Sequence, residues 1–343
     1  MVKAKLLVSA IFFLFVFFGL SRSQSVETYI DEVKIHSASG VLLSDPYQMD
    51  MPMLAAAKLE METFRQDQDE LLEKIRQEAA KRNKPAVDAK LDSVWKAIPG
   101  LNGTEVDVDK TLLLARSHPV PGEIPYVMKP IPPKISLDDL GAQPIYKGNP
   151  GKPMVGLMIN VAWGNEYIPK MLEVLDKENA HATFFLDGSW LKKNVPVAKE
   201  IMSRGHEMAN HAYSHKNMSE LGYGSASEEM SKTQALLEKE LGVKNTLFAP
   251  PSGDFNQATV RIAREQGMRT ILWTLDTVDW RNPGASNILR KIEARVEPGS
   301  LILMHPTVSS SEALADMIRI IKRKGLRLGT VSEVISPERV PES

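Results

Sequence analysis

The chain has no cysteine among its 343 residues. This rules out disulfide frameworks, thiolate metal sites and cysteine nucleophiles, but leaves the compartment open, because oxidising environments permit disulfides without requiring them. There is no surplus of charge either: 42 Lys and Arg stand against 43 Asp and Glu. Nothing in that balance draws the chain to nucleic acid or another polyanion. Aromatic residues are sparse at 6%, yet 43% of the chain is apolar. That is enough for a full core, and the length accommodates one large domain and a smaller one.

Long apolar runs are also missing, except at the start. Lys3 and Lys5 precede LLVSAIFFLFVFFGL (6–20), and SRSQS follows. The run is short for a spanning helix, which needs about 20 residues, and Arg22 sits awkwardly for cleavage. Residues 1–25 therefore read as a signal peptide or an uncleaved anchor. Either way the rest of the chain is expected outside the cytoplasm, in the cell envelope or beyond it, touching membrane only through this segment. Losing residues 1–25 removes three positive and no negative side chains, moving the formal charge from −1 to −4.

A long helix is predicted from Asp50 to Arg82: Asp50 can cap it, Pro52 suits its first turn, and Leu54, Ala57, Met61, Phe64, Leu71, Ile75 and Ala79 recur at helical spacing. A second, short helix is expected after Asp88, with Leu91, Val94, Trp95 and Ile98 on one face and Pro99-Gly100 as its stop. Together they predict a small helical N-terminal domain over 26–116. A heptad-like stripe packs within its own domain more often than against a partner helix, and Gln68 interrupts this one. The oligomeric state is left open. Prolines crowd 117–153, which argues against regular structure and for a linker or strap.

From Met154 onward, short apolar runs alternate with helical patterns: VGLMI, ATFFL, EMAN, TLFA, TILWT, LILMH and LRLGT. Strands this apolar, separated by amphipathic segments, mean an α/β fold with a parallel sheet covered by helices. About seven such units in roughly 180 residues fit a compact (β/α) barrel over 154–335, leaving 336–343 as a tail. Chemistry in such barrels sits at the C-terminal ends of the strands. That rule singles out Asn160, Asp187, His211, Pro250, Asp276, Asp279 and His305.

Two histidines four apart, His211 and His215, would share a face if HAYSH were helical and could offer two imidazoles to one divalent ion; surface or capping roles are the alternative. His305 ends a very apolar strand, either as a hydrogen-bonded core residue or as a general acid/base at the rim. Asp276 and Asp279 could orient it, or could be turn and capping carboxylates. Asp187 could act as third ligand or base, or accept turn N–H groups around Gly188. Glu166 could reach inward or stay in an exposed loop. Trp163 and Trp190 could stack on a pyranose face or belong to the core.

These segments in this order, SRGHEMANHAYSH, APPSGDFN, TLDTVDW and LILMH, resemble the successive motifs of the polysaccharide deacetylase family, the nodulation-type chitooligosaccharide and peptidoglycan de-N-acetylases of carbohydrate esterase family four. The resemblance covers 153–334 and is strongest to sporulation-associated members, which VWKAIPGLNG also resembles. It implies a distorted (β/α) barrel and hydrolysis of an N-acetyl group on peptidoglycan or chitooligosaccharide. It also implies an Asp and two His holding a zinc-like divalent metal that polarises the carbonyl and binds the attacking water. Carried over, His211 and His215 are metal ligands, with Asp187 a speculative third. His305 is the acid and Asp279 its partner. Leu303 belongs to the acetyl-methyl pocket, and Pro250, Gly253 and Trp163 to the substrate site.

The carboxylate half of the pattern is not there. Aligned on MINVAWGN, Asn160 stands where the base Asp belongs, Val161 at the usual metal Asp, and Asn165 at the subgroup's later Asp. The family's Arg-Pro-Pro-Tyr-Gly reads Ala249-Pro250-Pro251-Ser252-Gly253. An amide cannot take up a proton at useful pH, and an Arg beside it would be a desolvated, unpaired cation. Two expectations follow: an exported glycan de-N-acetylase with a degenerate, incomplete metal site and weak activity, or a catalytically inactive glycan-binding or spore-envelope assembly protein.

Overall fold

The computed structural model describes residues 51–117 and 123–340. The expected leader at 1–25 lies outside them. Two compact units divide between Leu71 and Leu72, within one continuous helix, α1 (Met51–Arg82). In the first unit, Met61 and Phe64 of the predicted stripe are 60% and 65% exposed; in the second, Ile75 and Ala79 are buried. Among the described residues no helix is long and apolar enough to cross a membrane.

The short helix predicted over 88–98 is instead a hairpin, in which β1 (Lys90–Asp92) and β2 (Lys96–Ile98) pair antiparallel. Asp92 Oδ1 accepts from the N–H groups of Val94 and Trp95, both at 2.8 Å, closing a turn that competes with helix formation. Asp88 accepts from Lys134 and Ile135 N–H rather than capping. The apolar helical face read from Leu91 and Val94 is exposed. The proline-dense segment also holds regular structure: β3 (Gly103–Val106), followed by α2 (Val108–Ser117), pairs antiparallel with β4 (Met128–Ile131). Pro130 is accommodated because β4 is an edge strand, where a missing N–H breaks no ladder. Further on, Ile145 bridges to Ile271 and Lys147 to Ser300, so this segment also pairs with the larger fold.

That fold is the expected α/β one, a distorted (β/α) barrel whose curled parallel sheet forms a half-barrel. Its strands are β5 (Met154–Val161), β6 (Thr183–Leu186), β7 (Glu207–Asn210), β8 (Leu247–Phe248), β9 (Arg269–Thr270), β10 (Leu275–Asp276), β11 (Leu301–Met304) and β12 (Arg327–Gly329). All pair in parallel, seven of them in the order β10-β11-β5-β6-β7-β8-β9, with β12 on the first half of β5. The run TILWT, predicted as one strand, ends as β9 at Thr270, and the chain re-enters the sheet at β10. The sheet is open between those two.

Helices α3 (Ile168–Lys177), α4 (Gly188–Lys193), α5 (Val195–Ser203), α6 (Tyr223–Leu241), α7 (Gln257–Glu265), α8 (Ala285–Arg295), α9 (Val308–Arg323) and α10 (Val331–Ile335) complete this unit. Ile168, Met171, Leu172 and Leu175 of α3 are all buried, as their spacing predicts. Each such side chain contributes about 1.5–3 kcal/mol by leaving water. Strand β5 lies deepest: from Val155 to Val161 every residue is buried, with β11 on one edge and β6 and β12 on the other.

His206, just before β7, is buried against Phe184, and desolvation with the nearby His181 lowers its pKa to about 4. The unfolded chain therefore binds this proton more readily than the native one below about pH 6.5, and stability falls as pH drops from there toward 4. Urea unfolding across that window should show this group adding a slope approaching 1.4 kcal/mol per pH unit, by about the value of one full proton. In His206→Gln, which keeps an acceptor for Ala182 N–H, the slope should flatten by that share. An unchanged slope would contradict the assignment.

Candidate functional site

A groove of about 550 Å³ opens at the C-terminal ends of the central strands, lined by Asn160, Trp163, His215, Ser252, Trp273, Asp276, Trp280, Leu303 and His305. Six of these were legible in the sequence as candidate site residues: Asn160, Trp163, His215, Asp276, Leu303 and His305. His211, Asp187, Pro250 and Gly253 are not among the lining side chains.

The HAYSH segment is not helical. It leaves β7 as an irregular loop with Ala212 and His215 in the left-handed region, at φ 60° and 55°. The two imidazoles still meet, with centroids 5.2 Å apart and planes at 74°. Neighbouring elements impose this conformation. Glu229 on α6 accepts from Tyr213 N–H (3.1 Å), Ser214 N–H (2.8 Å) and Ser214 Oγ (2.6 Å). Thr233 Oγ1 donates to Ala212 O, and the first N–H groups of α4 donate to Ala212 O and Tyr213 O. Gly188 permits the approach, since a Cβ there would lie 2.3 Å from Thr233 Oγ1. His211 Nδ1 donates to Ala249 O at 2.8 Å, leaving Nε2 with its lone pair. Burial, reinforced by His215, lowers the His211 pKa to about 3, so the ring is neutral.

On the facing side, His305 Nδ1 donates to Asp279 Oδ1 at 2.8 Å, and His305 N–H donates to Asp279 Oδ2 at 2.6 Å. Ser310 Oγ also donates to Oδ2. Asp279 is fully buried. Burial pushes its carboxyl upward, but the bonds and charge of His305 and the Ser310 hydroxyl outweigh that and hold it below the usual carboxylate value. Asp276 does not share this role; its Oδ1 closes a turn by accepting from Val278 N–H. Trp163 stacks on His305, with centroids 5.3 Å apart and planes at 15°, and meets His215 edge-on at 6.3 Å. Gly164 makes the stacking possible: its φ is 83°, and a Cβ would lie 2.0 Å from Pro306 O.

The remaining positions hold no ready carboxylate. Asn160 is 2% exposed, and its Oδ1 has no hydrogen-bond partner among the described residues. Val161 is buried in the apolar core. Asn165 accepts from Trp190 Nε1 and donates to Asn194 Oδ1, which makes Trp190 a core residue anchored to that loop rather than a stacking face. Asp187 caps α4: its Oδ1 accepts from Trp190 N–H at 2.9 Å and Ser189 Oγ at 2.6 Å. Its Oδ2 is buried without a hydrogen-bond partner among the described residues, and desolvation raises its pKa against those bonds. Glu166 is exposed and does not line the groove. Among the described residues no three His, Cys, Asp or Glu side chains group as a metal site. Two imidazoles without a third protein donor do not fit a three-ligand hydrolytic zinc centre.

Sequence reasoning missed Ser252, Trp273 and Trp280 on the groove and Glu229 behind it. Trp280 directly follows Asp279 in TLDTVDW, a signal that was available; Glu229 carries none. Gly253 holds Trp273 in place, since a Cβ at its φ of 67° would lie 2.5 Å from the indole. Gly164→Ala combines a left-handed backbone with a main-chain clash, and should destabilise the fold by about 2 kcal/mol or more. It should also change tryptophan emission as Trp163 leaves His305. Unaltered stability and emission would count against the packing described.

A family model described as polysaccharide deacetylase matches residues 147–271. The uncharacterized protein YlxY of Bacillus subtilis is 42% identical over 87% of this chain and 93% of its own length. A peptidoglycan-N-acetylglucosamine deacetylase of Bacillus cereus is 31% identical over 57% of this chain and 72% of its own. Among solved structures, a CE4 family pseudoenzyme from Bacillus anthracis is 40% identical, with a TM-score of 0.71 over 79% of this chain and 96% of its own. A mutant of that pseudoenzyme with restored enzymatic activity superposes with the same score at 39% identity, over 79% of this chain and 99% of its own. By these matches the chain belongs to the polysaccharide deacetylase family.

Proposed function

We propose that this chain is an exported cell-envelope protein that binds N-acetylated glycan, peptidoglycan or chitooligosaccharide, in the His305 groove, with amide hydrolysis weak or lost. The observation that carries the reading is Asn160: a buried amide with an unpaired oxygen stands at the end of the deepest strand, where the reaction requires a carboxylate. Three tryptophans on the groove, Trp163, Trp273 and Trp280, offer apolar faces for pyranose rings. The amide hydrolysis performed by the named deacetylase relatives needs a base to ready water and a ligand set to hold the metal. His211 and His215 would supply two donors of such a set and leave it one protein ligand short. Export rests on the composition of residues 1–25.

Residual de-N-acetylation is the second reading, favoured by the His305–Asp279 pair, which is arranged to protonate a leaving amine. The two separate in one experiment. Purified chain is incubated with N-acetylated chitooligosaccharide and peptidoglycan fragments, with zinc, cobalt or manganese, and free amines are counted; glycan binding is measured by calorimetry in parallel. Binding without amine release is expected, with Trp163→Ala weakening it by about tenfold or more. Amine release with any metal would overturn the binding-only reading, and absence of glycan binding would overturn both.

Asn160→Asp alone should not create activity. The third metal donor is still missing, and Ala249, where the family carries an Arg beside the base, is buried among Met158, Phe185, Ala209 and Ile271. Full turnover by that single variant would show the site to be complete in a way this reading denies.

A further inference from the structure

The first part of α1 takes no part in the groove. Leu54, Ala57, Met61, Phe64, Gln68 and Leu71 follow one another at strict alternate spacings of three and four, the register of a coiled-coil seam. In the middle of that seam Met61 and Phe64 are 60% and 65% exposed. Gln68 is partly buried, and its Oε1, itself shielded from water, has no hydrogen-bond partner among the described residues. With Leu54, Met61 and Gln68 at the a positions, the flanking g positions carry Glu60 and Asp67, and the flanking e positions carry Lys58 and Arg65.

We infer that residues 54–71 form a parallel two-stranded coiled coil with a second copy of this chain. The charges select both the partner and its direction. In a parallel pair, g of one helix faces e of the next heptad on the other, which brings Glu60 of each copy to Arg65 of its mate. In an antiparallel pair, g would face g and e would face e, setting Glu60 against Asp67 and Lys58 against Arg65, four like-charged contacts. Gln68 fits the same arrangement. At an a position of a symmetric pair it meets its own copy, and a polar residue there fixes register and favours two strands. Leu59 lies off the seam and is not explained by it. Beyond Leu71 the stripe turns inward, with Ile75 fully buried, so the seam is short and its association concentration-dependent.

The absence of native cysteine makes the test clean. Full-length chain, with its N-terminal segment kept soluble in detergent, is followed by sedimentation, and single-cysteine variants are oxidised mildly. Phe64→Cys on the seam should give a disulfide-linked dimer, while Gln66→Cys on the opposite face should not. Glu60→Lys should weaken dimerisation by about tenfold, and Glu60→Lys combined with Arg65→Glu should restore it. Barrel unfolding should be unchanged in every variant, which separates lost pairing from lost folding. A chain that stays monomeric to about 100 μM, equal crosslinking at 64 and 66, or a charge swap that fails to rescue would overturn the inference.

Discussion

The site depends on the burial of β5. Both edges of that strand are hydrogen-bonded and its residues from Val155 to Val161 are shielded from water. A charge at its C-terminal end therefore has to be neutralised by protein or metal, because solvent is not available to do so. Base, metal ligand and supporting cation form one electrostatic unit at such a place, and none of them is stable alone. Asn160, Val161 and Ala249 are mutually consistent in that light. Each is neutral, and restoring any one charge by itself would bury an ion without its counterion.

The same reasoning applies to Asp187, a buried carboxyl close enough to His215 to feel its charge. Its first oxygen is committed to the N-terminus of α4, where the helix dipole and two donors favour it. Its second oxygen has no donor, and burial pushes its pKa up. It keeps its place as a cap, a local role worth about 1 kcal/mol in comparable helices.

Much of this was legible in the sequence, and the failures have physical causes. The apolar strands and the α3 spacing were readable because deep burial leaves a periodic trace. His305 and Asp279 were readable because the chemistry of the pair fixes residue type at the ends of two adjacent strands. The hairpin at 90–98 was misread because so short a segment suits either periodicity, and the Asp92 turn bonds decide between them. HAYSH was expected to need a helix to bring its rings together; two left-handed residues and Glu229, fourteen positions downstream of His215, achieve it instead. No local pattern encodes such a contact. The proline-dense strap was read as irregular because proline forbids a central strand, whereas an edge strand tolerates it.

The His305–Asp279 pair, proposed above as an acid, can be explained without presupposing turnover. Asp279 accepts from His305 N–H and Ser310 Oγ as well as from the imidazole. It therefore ties the end of β11 to the first turn of α9, and its loss would leave several buried donors unsatisfied, at about 1–3 kcal/mol each. His211 likewise donates to Ala249 O and joins β7 to the loop after β8. By contrast, Asn160 Oδ1 bonds to nothing among the described residues, and Val161 and Ala249 contribute only apolar packing. Of the positions that depart from the expected pattern, Asn160, Val161 and Ala249 carry no such side-chain bonds, whereas Asn165 keeps a local role through Trp190 Nε1 and Asn194 Oδ1. An intact His305–Asp279 pair is thus accounted for by stability alone, and the functional weight falls on Asn160.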